Sequence, residues 1–109
     1  MGYAIARAAA MAGANVTMVS GPTALTPPNG VQTVSVTTAL QMYDAVMASV
    51  SDKDVFIAVA AVADWQVTEV STQKIKKQDG GTPSLSFKEN PDILAAVAAL
   101  PSPPYCVGF

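Results

Sequence analysis

Residues 55–61 form an unbroken apolar run, β-branched at its start and small at its end, leading into Val62-Ala63-Asp64-Trp65. Such a run predicts a strand buried on both faces of a parallel sheet. Before it, helical and strand periodicities alternate. Ile5, Ala8, Ala9 and Ala12 share one face of a helix over residues 1–12, with Gly13 placed for a left-handed C-terminal cap. Residues 14–19 read as a strand closed by Ser20-Gly21-Pro22, and Pro27-Pro28 makes 23–29 a loop. Gly30 opens a second strand over 31–36. Thr38-Ala39-Leu40-Gln41 matches a capping box, and Leu40, Tyr43, Val46, Met47 and Val50 mark an amphipathic helix ending near Ser51.

After Trp65 the pattern loosens. Residues 66–73 alternate weakly, Lys74-Ile75-Lys76-Lys77 follows, and Asp79-Gly80-Gly81 is a turn. Residues 84–88 read as a strand with one wet face. Asn90-Pro91-Asp92 predicts a helix start, with Asn90 as N-cap, Pro91 at the first helical position and an acid in the first turn. Ile93, Leu94, Val97 and Leu100 form its apolar stripe. Pro101 stops that helix, Pro103-Pro104 stiffens the connection, and 105–109 begin another strand. Strands interleaved with helices predict an α/β domain of parallel strands joined by right-handed crossovers.

Composition narrows the chemistry. The 109 residues suffice for one domain, and half of them are hydrophobic while 6% are aromatic, which fits close packing of helices on a sheet. A net charge of −2 provides no general attraction to nucleic acid or an anionic membrane. Histidine is absent, so no Ser-His-Asp or Cys-His pair and no histidine zinc site can form. The single cysteine, Cys106, excludes an internal disulfide and reads as an inert thiol. No apolar stretch approaches the ~20 residues of a membrane span, and residues 1–13 lack the basic start of a signal peptide. The expectation is a cytoplasmic protein.

Ligands of open α/β sheets bind outside the carboxyl ends of the strands. The alanine-rich end of the central strand, with Asp64 beyond it, suits that role. Two uses are open to Asp64: accepting hydrogen bonds from an amino or ribose hydroxyl group, or capping a turn. The Lys74–Lys77 cluster is either a solvated loop or a flap that closes on phosphates, since mobile cations follow charge as it shifts. Amides at the Asn90-Pro91-Asp92-Ile93 helix start attract polar ligand atoms. Asp92 would repel an anion there, which favours a base or sugar hydroxyl; a merely well-capped helix is the other reading. Tyr3, Tyr43 and Trp65 read as packing residues.

Taken in order, Ala60-Ala61-Val62-Ala63-Asp64-Trp65, Lys74-Ile75-Lys76-Lys77, Asn90-Pro91-Asp92-Ile93 and Val107-Gly108-Phe109 resemble bacterial phosphopantothenoylcysteine synthetase. That is the phosphopantothenate–cysteine ligase half of the bifunctional coenzyme A biosynthesis (DNA/pantothenate metabolism) flavoprotein. Met1-Gly2-Tyr3-Ala4-Ile5-Ala6 and Val19-Ser20-Gly21-Pro22 are also similar to that family, so the likeness spans essentially the whole chain.

The resemblance implies a Rossmann-like, doubly wound, mostly parallel sheet with helices on both faces. Residues 1–109 would be part of one nucleotide-binding ligase domain, truncated at both ends, because family members carry a strand and a Ser-Gly-Lys turn before the equivalent of Met1-Gly2 and continue past Gly108-Phe109. It implies ligation of 4′-phosphopantothenate to cysteine through an acyl-cytidylate, using CTP and Mg²⁺, with no flavin in this part. By position, Ala58, Val59 and Ala60 would present backbone to the nucleotide, Asp64 would meet the cytidine, and Lys74 would be the catalytic cation on the phosphates. Pro91, Asp92, Ile93 and Leu94 would wall the pocket, with Phe109 against it. Ligands for the metal are not implied. The resemblance further implies a homodimer in the complete protein, a possible fusion to a flavin-dependent decarboxylase, and no amide formation by these 109 residues alone. The parallel pattern by itself leaves an NAD(P)-dependent Rossmann oxidoreductase open, although no GxGxxG turn is present. A non-catalytic nucleotide-binding or assembly module is the third reading.

Overall fold

The stop of the helix over Gly2–Met11 and the start of the helix over Ala39–Ser49 fall where the sequence supplies the signal. The computed structural model describes residues 1–60, 65–67 and 87–109. Helix α1 spans Gly2–Met11. Gly13 follows at φ 97°, its N–H donating to the Ala10 carbonyl at 3.1 Å while the Ala14 N–H donates to Ala9 at 3.0 Å. These reversed bonds are the glycine-ended stop expected from the sequence. The buried face is rotated from the expected one: Ala6 is buried, while Ala8 and Ala12 are exposed. Two contacts of the first turn set that rotation, Gly2 against Val59 and the Tyr3 hydroxyl on Ser20.

The chain continues through β1 (Val16–Ser20) and β2 (Val31–Ser35) to α2 (Ala39–Ser49), a 3₁₀ turn at Val50–Asp52 and β3 (Val55–Ala58). Then come β4 (Trp65–Val67), β5 (Phe87–Glu89), α3 (Ile93–Ala98) and β6 (Tyr105–Gly108). Strands β1 and β2 are parallel with Val16 opposite Val31. Strands β3 and β6 are parallel with Val55 opposite Tyr105, whereas β4 and β5 are antiparallel. The expected α/β class with parallel strands holds. The described strands pair two by two, β1 with β2, β3 with β6 and β4 with β5. Among the described residues, a shared helical layer packs against both β1–β2 and β3–β6. Val46 and Val50 meet Ile93 and Val97 in one buried cluster, against which Val19 of β1, Phe56 of β3 and Cys106 of β6 all pack.

Side-chain alternation places α1 on the opposite face. Val19 points to the α2–α3 cluster, so its neighbour Ser20 points away, and Ser20 is the residue that Tyr3 of α1 meets. Helices therefore flank β1–β2 on both sides. The β3 strand differs from expectation: among the described residues it is covered on one face only. Val55 is 51% and Ile57 38% exposed, and the facing Tyr105 is 75% exposed. Among the described residues, α1 packs on β1 and β2 rather than on that face of β3. The strand also ends at Ala58 rather than continuing to residue 61. Among the described residues no helix is long and apolar enough to cross a membrane.

The capping box at α2 is complete. Thr38 Oγ1 accepts from the Gln41 N–H at 3.1 Å, and Gln41 Oε1 accepts from the Thr37 and Thr38 N–H groups at 2.8 and 3.1 Å. Thr38→Ala removes one acceptor from a helix that carries Val46 of the buried cluster and leads into Val50. It should cost ~1 kcal/mol, read as a melting midpoint lower by ~4–8 °C for a domain of this size. An unshifted midpoint would show that the cap is redundant.

Candidate functional site

Strands β3 and β6 end side by side, and the start of α3 closes over them. The Phe109 N–H donates to the Ala58 carbonyl at 3.0 Å, which carries the pairing one residue beyond β6. Ala58, Ala60, Glu89, Asn90, Pro91, Asp92, Ile93, Leu94, Gly108 and Phe109 line an open cleft there. Its volume of about 240 Å³ lies below the ~300–1,000 Å³ of sites that enclose a whole small ligand. It can hold one end of an extended ligand while the remainder lies outside.

Asp92 sets the geometry of this wall. Its backbone is extended, at φ −83° and ψ 97°, and its Oδ1 accepts from the Ala95 N–H at 3.0 Å. Asp92 is therefore the N-cap, and the helix begins at Ile93. This corrects the expected frame by two residues: Asn90 is not the cap, and Pro91 stands before the helix. The carboxylate reaches the Ala95 amide three residues on, and that capping bond fixes where helical geometry starts. Asn90 is buried instead, at 9% exposure. Gly108 lets the wall close. A Cβ added there would stand 2.6 Å from Leu94 Cδ2, so Leu94 leans into space that any other residue would occupy.

The charge of the lining is one-sided. Glu89 and Asp92 are exposed acids, and no described lining residue is basic. Such a surface disfavours phosphate and suits hydrogen-bond donors, such as an amino group or hydroxyl. Of the six basic residues, Lys74, Lys76, Lys77 and Lys88 fall within fifteen positions of the sequence. Among the rest, Lys53 pairs with Asp52 at 3.2 Å and Arg7 is exposed on α1. Neither lines the cleft. Among the described residues no group of three His, Cys, Asp or Glu gathers to hold a metal.

The cleft brings together Ala58, Ala60, Pro91, Asp92, Ile93, Leu94 and Phe109 from the candidate set. Val59 is not in the lining; its side chain faces Gly2. Asp64 and Lys74 lie outside the described residues. Glu89, Asn90 and Gly108 join the lining without having been singled out as site residues. Asn90 and Gly108 sat within recognisable motifs, whereas Glu89 carried no signal beyond being an acid next to one.

Comparison with known proteins decides the family. Residues 1–109 match the DNA/pantothenate metabolism flavoprotein C-terminal domain along their whole length. The chain belongs to that family. Coenzyme A biosynthesis bifunctional protein CoaBC of Escherichia coli strain K12 is 53% identical over 112 residues, covering 100% of this chain and 28% of the relative. CoaBC of Vibrio vulnificus strain YJ016 is 49% identical over 111 residues, again covering 100% and 28%. The crystal structure of the C-terminal domain of CoaBC superimposes with a TM-score of 0.80 at 36% identity, covering 96% of this chain and 47% of that one. The chain thus spans just over a quarter of the length of these CoaBC relatives. In this DNA/pantothenate flavoprotein domain, the cleft is built from the strand ends and helix start whose motifs first suggested the family.

Proposed function

We propose that this domain serves CTP-dependent ligation of 4′-phosphopantothenate to cysteine in coenzyme A biosynthesis. The observation that carries the reading is the cleft itself, where the ends of β3 and β6 meet the Asp92–Leu94 helix start. Family membership and the CoaBC relatives support the pathway.

The charge distribution supports one orientation of the nucleotide. Exposed Glu89 and Asp92 suit the donor-bearing cytidine portion, with Phe109, 73% exposed at the mouth, offering an aromatic face. The triphosphate then extends out of the cleft, and Lys74 is the cation that meets it. Asp64 adds a second acceptor for the cytidine, and the backbone of 58–60 borders it. The carboxylate of 4′-phosphopantothenate attacks the α-phosphorus, forming an acyl-cytidylate and releasing pyrophosphate. The cysteine amine then attacks the activated carbonyl, forms the amide and releases CMP. This sequence depends on alignment and charge stabilisation, so a chain without histidine is adequate to it. Mg²⁺ would ride on the triphosphate oxygens, as it commonly does with one or two carboxylates at most, and it would offset phosphate charge. The complete protein is read as a cytoplasmic homodimer, fused to a flavin-dependent decarboxylase.

Calorimetric titration of the complete protein tests the nucleotide assignment. CTP should bind with a saturable heat and NADPH should give none. Saturable NADPH binding without CTP binding would return the oxidoreductase reading to first place.

A further inference from the structure

A glycine closes β6 where the backbone does not demand one. Among the described residues the glycines at positive φ are Gly13 and Gly30, whereas Gly108 is a strand residue paired with Ala58. Glycine weakens a strand, and in that setting it often marks the close approach of another group. Here the approaching group is Leu94. A Cβ at Gly108 would stand 2.6 Å from Leu94 Cδ2 and 4.0 Å from Leu94 Cγ, and both atoms belong to the same side chain. Leu94 is the second residue of α3, and both it and Gly108 line the cleft. The Phe109 N–H bond to the Ala58 carbonyl holds the two strand ends together, so the seat at Gly108 sets the helix wall against both.

The same seat decides where Leu94 can go. Its neighbours on α3, Ile93 and Val97, are buried at 9% and 0% exposure in the cluster with Val46 and Val50. A close-packed interior has no room for a displaced branch. Leu94 itself is half-buried, with the cleft on its open side. A methyl group at position 108 would therefore push the Leu94 branch into the cleft. We propose that Gly108 is a positioning residue of the nucleotide site. By leaving its side-chain space to Leu94, it keeps that branch out of the cleft and sets it as an apolar wall against the nucleoside end of CTP. The triphosphate, disfavoured by Glu89 and Asp92, lies beyond the reach of this wall. This rests on the ligase reading of the cleft.

The two products of the proposed reaction carry the ends of CTP apart: CMP keeps the nucleoside, and pyrophosphate keeps the outer phosphates. In the complete protein, Gly108→Ala should raise the Michaelis constant for CTP and the inhibition constant of CMP about ten-fold each. That is the low end of the ~10–200-fold that one methylene is worth in an apolar pocket. Pyrophosphate inhibition should stay within two-fold. Adding Leu94→Val, whose methyl groups stop one bond short of Cδ, should bring both constants back to within about three-fold of wild type. Leu94→Ala removes the wall without a clash and should weaken CTP and CMP while sparing pyrophosphate; it decides the matter if Gly108→Ala does not fold. Equal weakening of CMP and pyrophosphate marks a general distortion and overturns the proposal. So does a double variant no better than Gly108→Ala, or an unchanged CTP Michaelis constant in either single variant. Wild-type protein that forms no amide with CTP overturns the ligase reading and this proposal with it. Active wild type with any of the other adverse outcomes overturns this proposal alone.

Discussion

Lys74→Gln in the complete protein should lower the turnover of amide formation by two to three orders of magnitude while leaving the fold intact. In the proposed reaction, charge accumulates on the α-phosphoryl group as the acyl-cytidylate forms, and no described residue of the cleft is basic. Glu89 and Asp92 work against that charge. The stabilisation must then come from outside the cleft, and we propose Lys74, in the Lys74-Ile75-Lys76-Lys77 run, as its source. Removing one such donor typically costs ~3–4 kcal/mol of barrier. Glutamine is one bond shorter, keeps hydrogen-bonding capacity and discards the cation. Circular dichroism and melting should match wild type, and CTP affinity should change far less than kcat, because the lost interaction strengthens in the transition state. Turnover within ten-fold of wild type would remove Lys74 from the mechanism.

The elements with local punctuation were legible in the sequence. Gly13, the Thr38–Gln41 box and the 93–100 stripe each appear in the structure where residue chemistry placed them. What escaped reading depends on long-range packing. Periodicity cannot tell which side of α1 meets a sheet when nearly every position is alanine or apolar; Gly2 against Val59 and Tyr3 on Ser20 decide it. Nor does an apolar run reveal whether both of its faces are covered. Val55 and Ile57 have the side chains of a buried strand and stand exposed, because coverage is a property of the neighbours.

The cleft divides along the same line. Asp92 and Phe109 were reachable from motifs, but the capping register was not. Asn90 reads as the N-cap in sequence, and only the Ala95 amide at 3.0 Å from Asp92 Oδ1 moves the cap to Asp92. Gly108 had no visible reason until Leu94 was found in the space beside it.

Val97→Asp should unfold this domain, and with it abolish CTP binding. Val97 is the one described side chain buried completely, at 0% exposure, and it sits where α3 meets Val46 and Val50. An aspartate there must either bury an uncompensated charge or take up a proton to remain inside, and no described basic side chain belongs to the cluster. Losses above ~4 kcal/mol follow from such burial, a large share of the ~5–15 kcal/mol that holds a typical domain together. Helix α3 has six residues, too few to persist without that packing, and its first turn carries Ile93 and Leu94 of the cleft wall. Val97→Ala separates the two effects. It deletes two methyl groups and leaves a small cavity, at about 2–3 kcal/mol, so the melting midpoint should fall while CTP still binds to the folded protein at low temperature. If Val97→Asp melts like wild type, α3 is not anchored through this residue and the cleft wall has some other support.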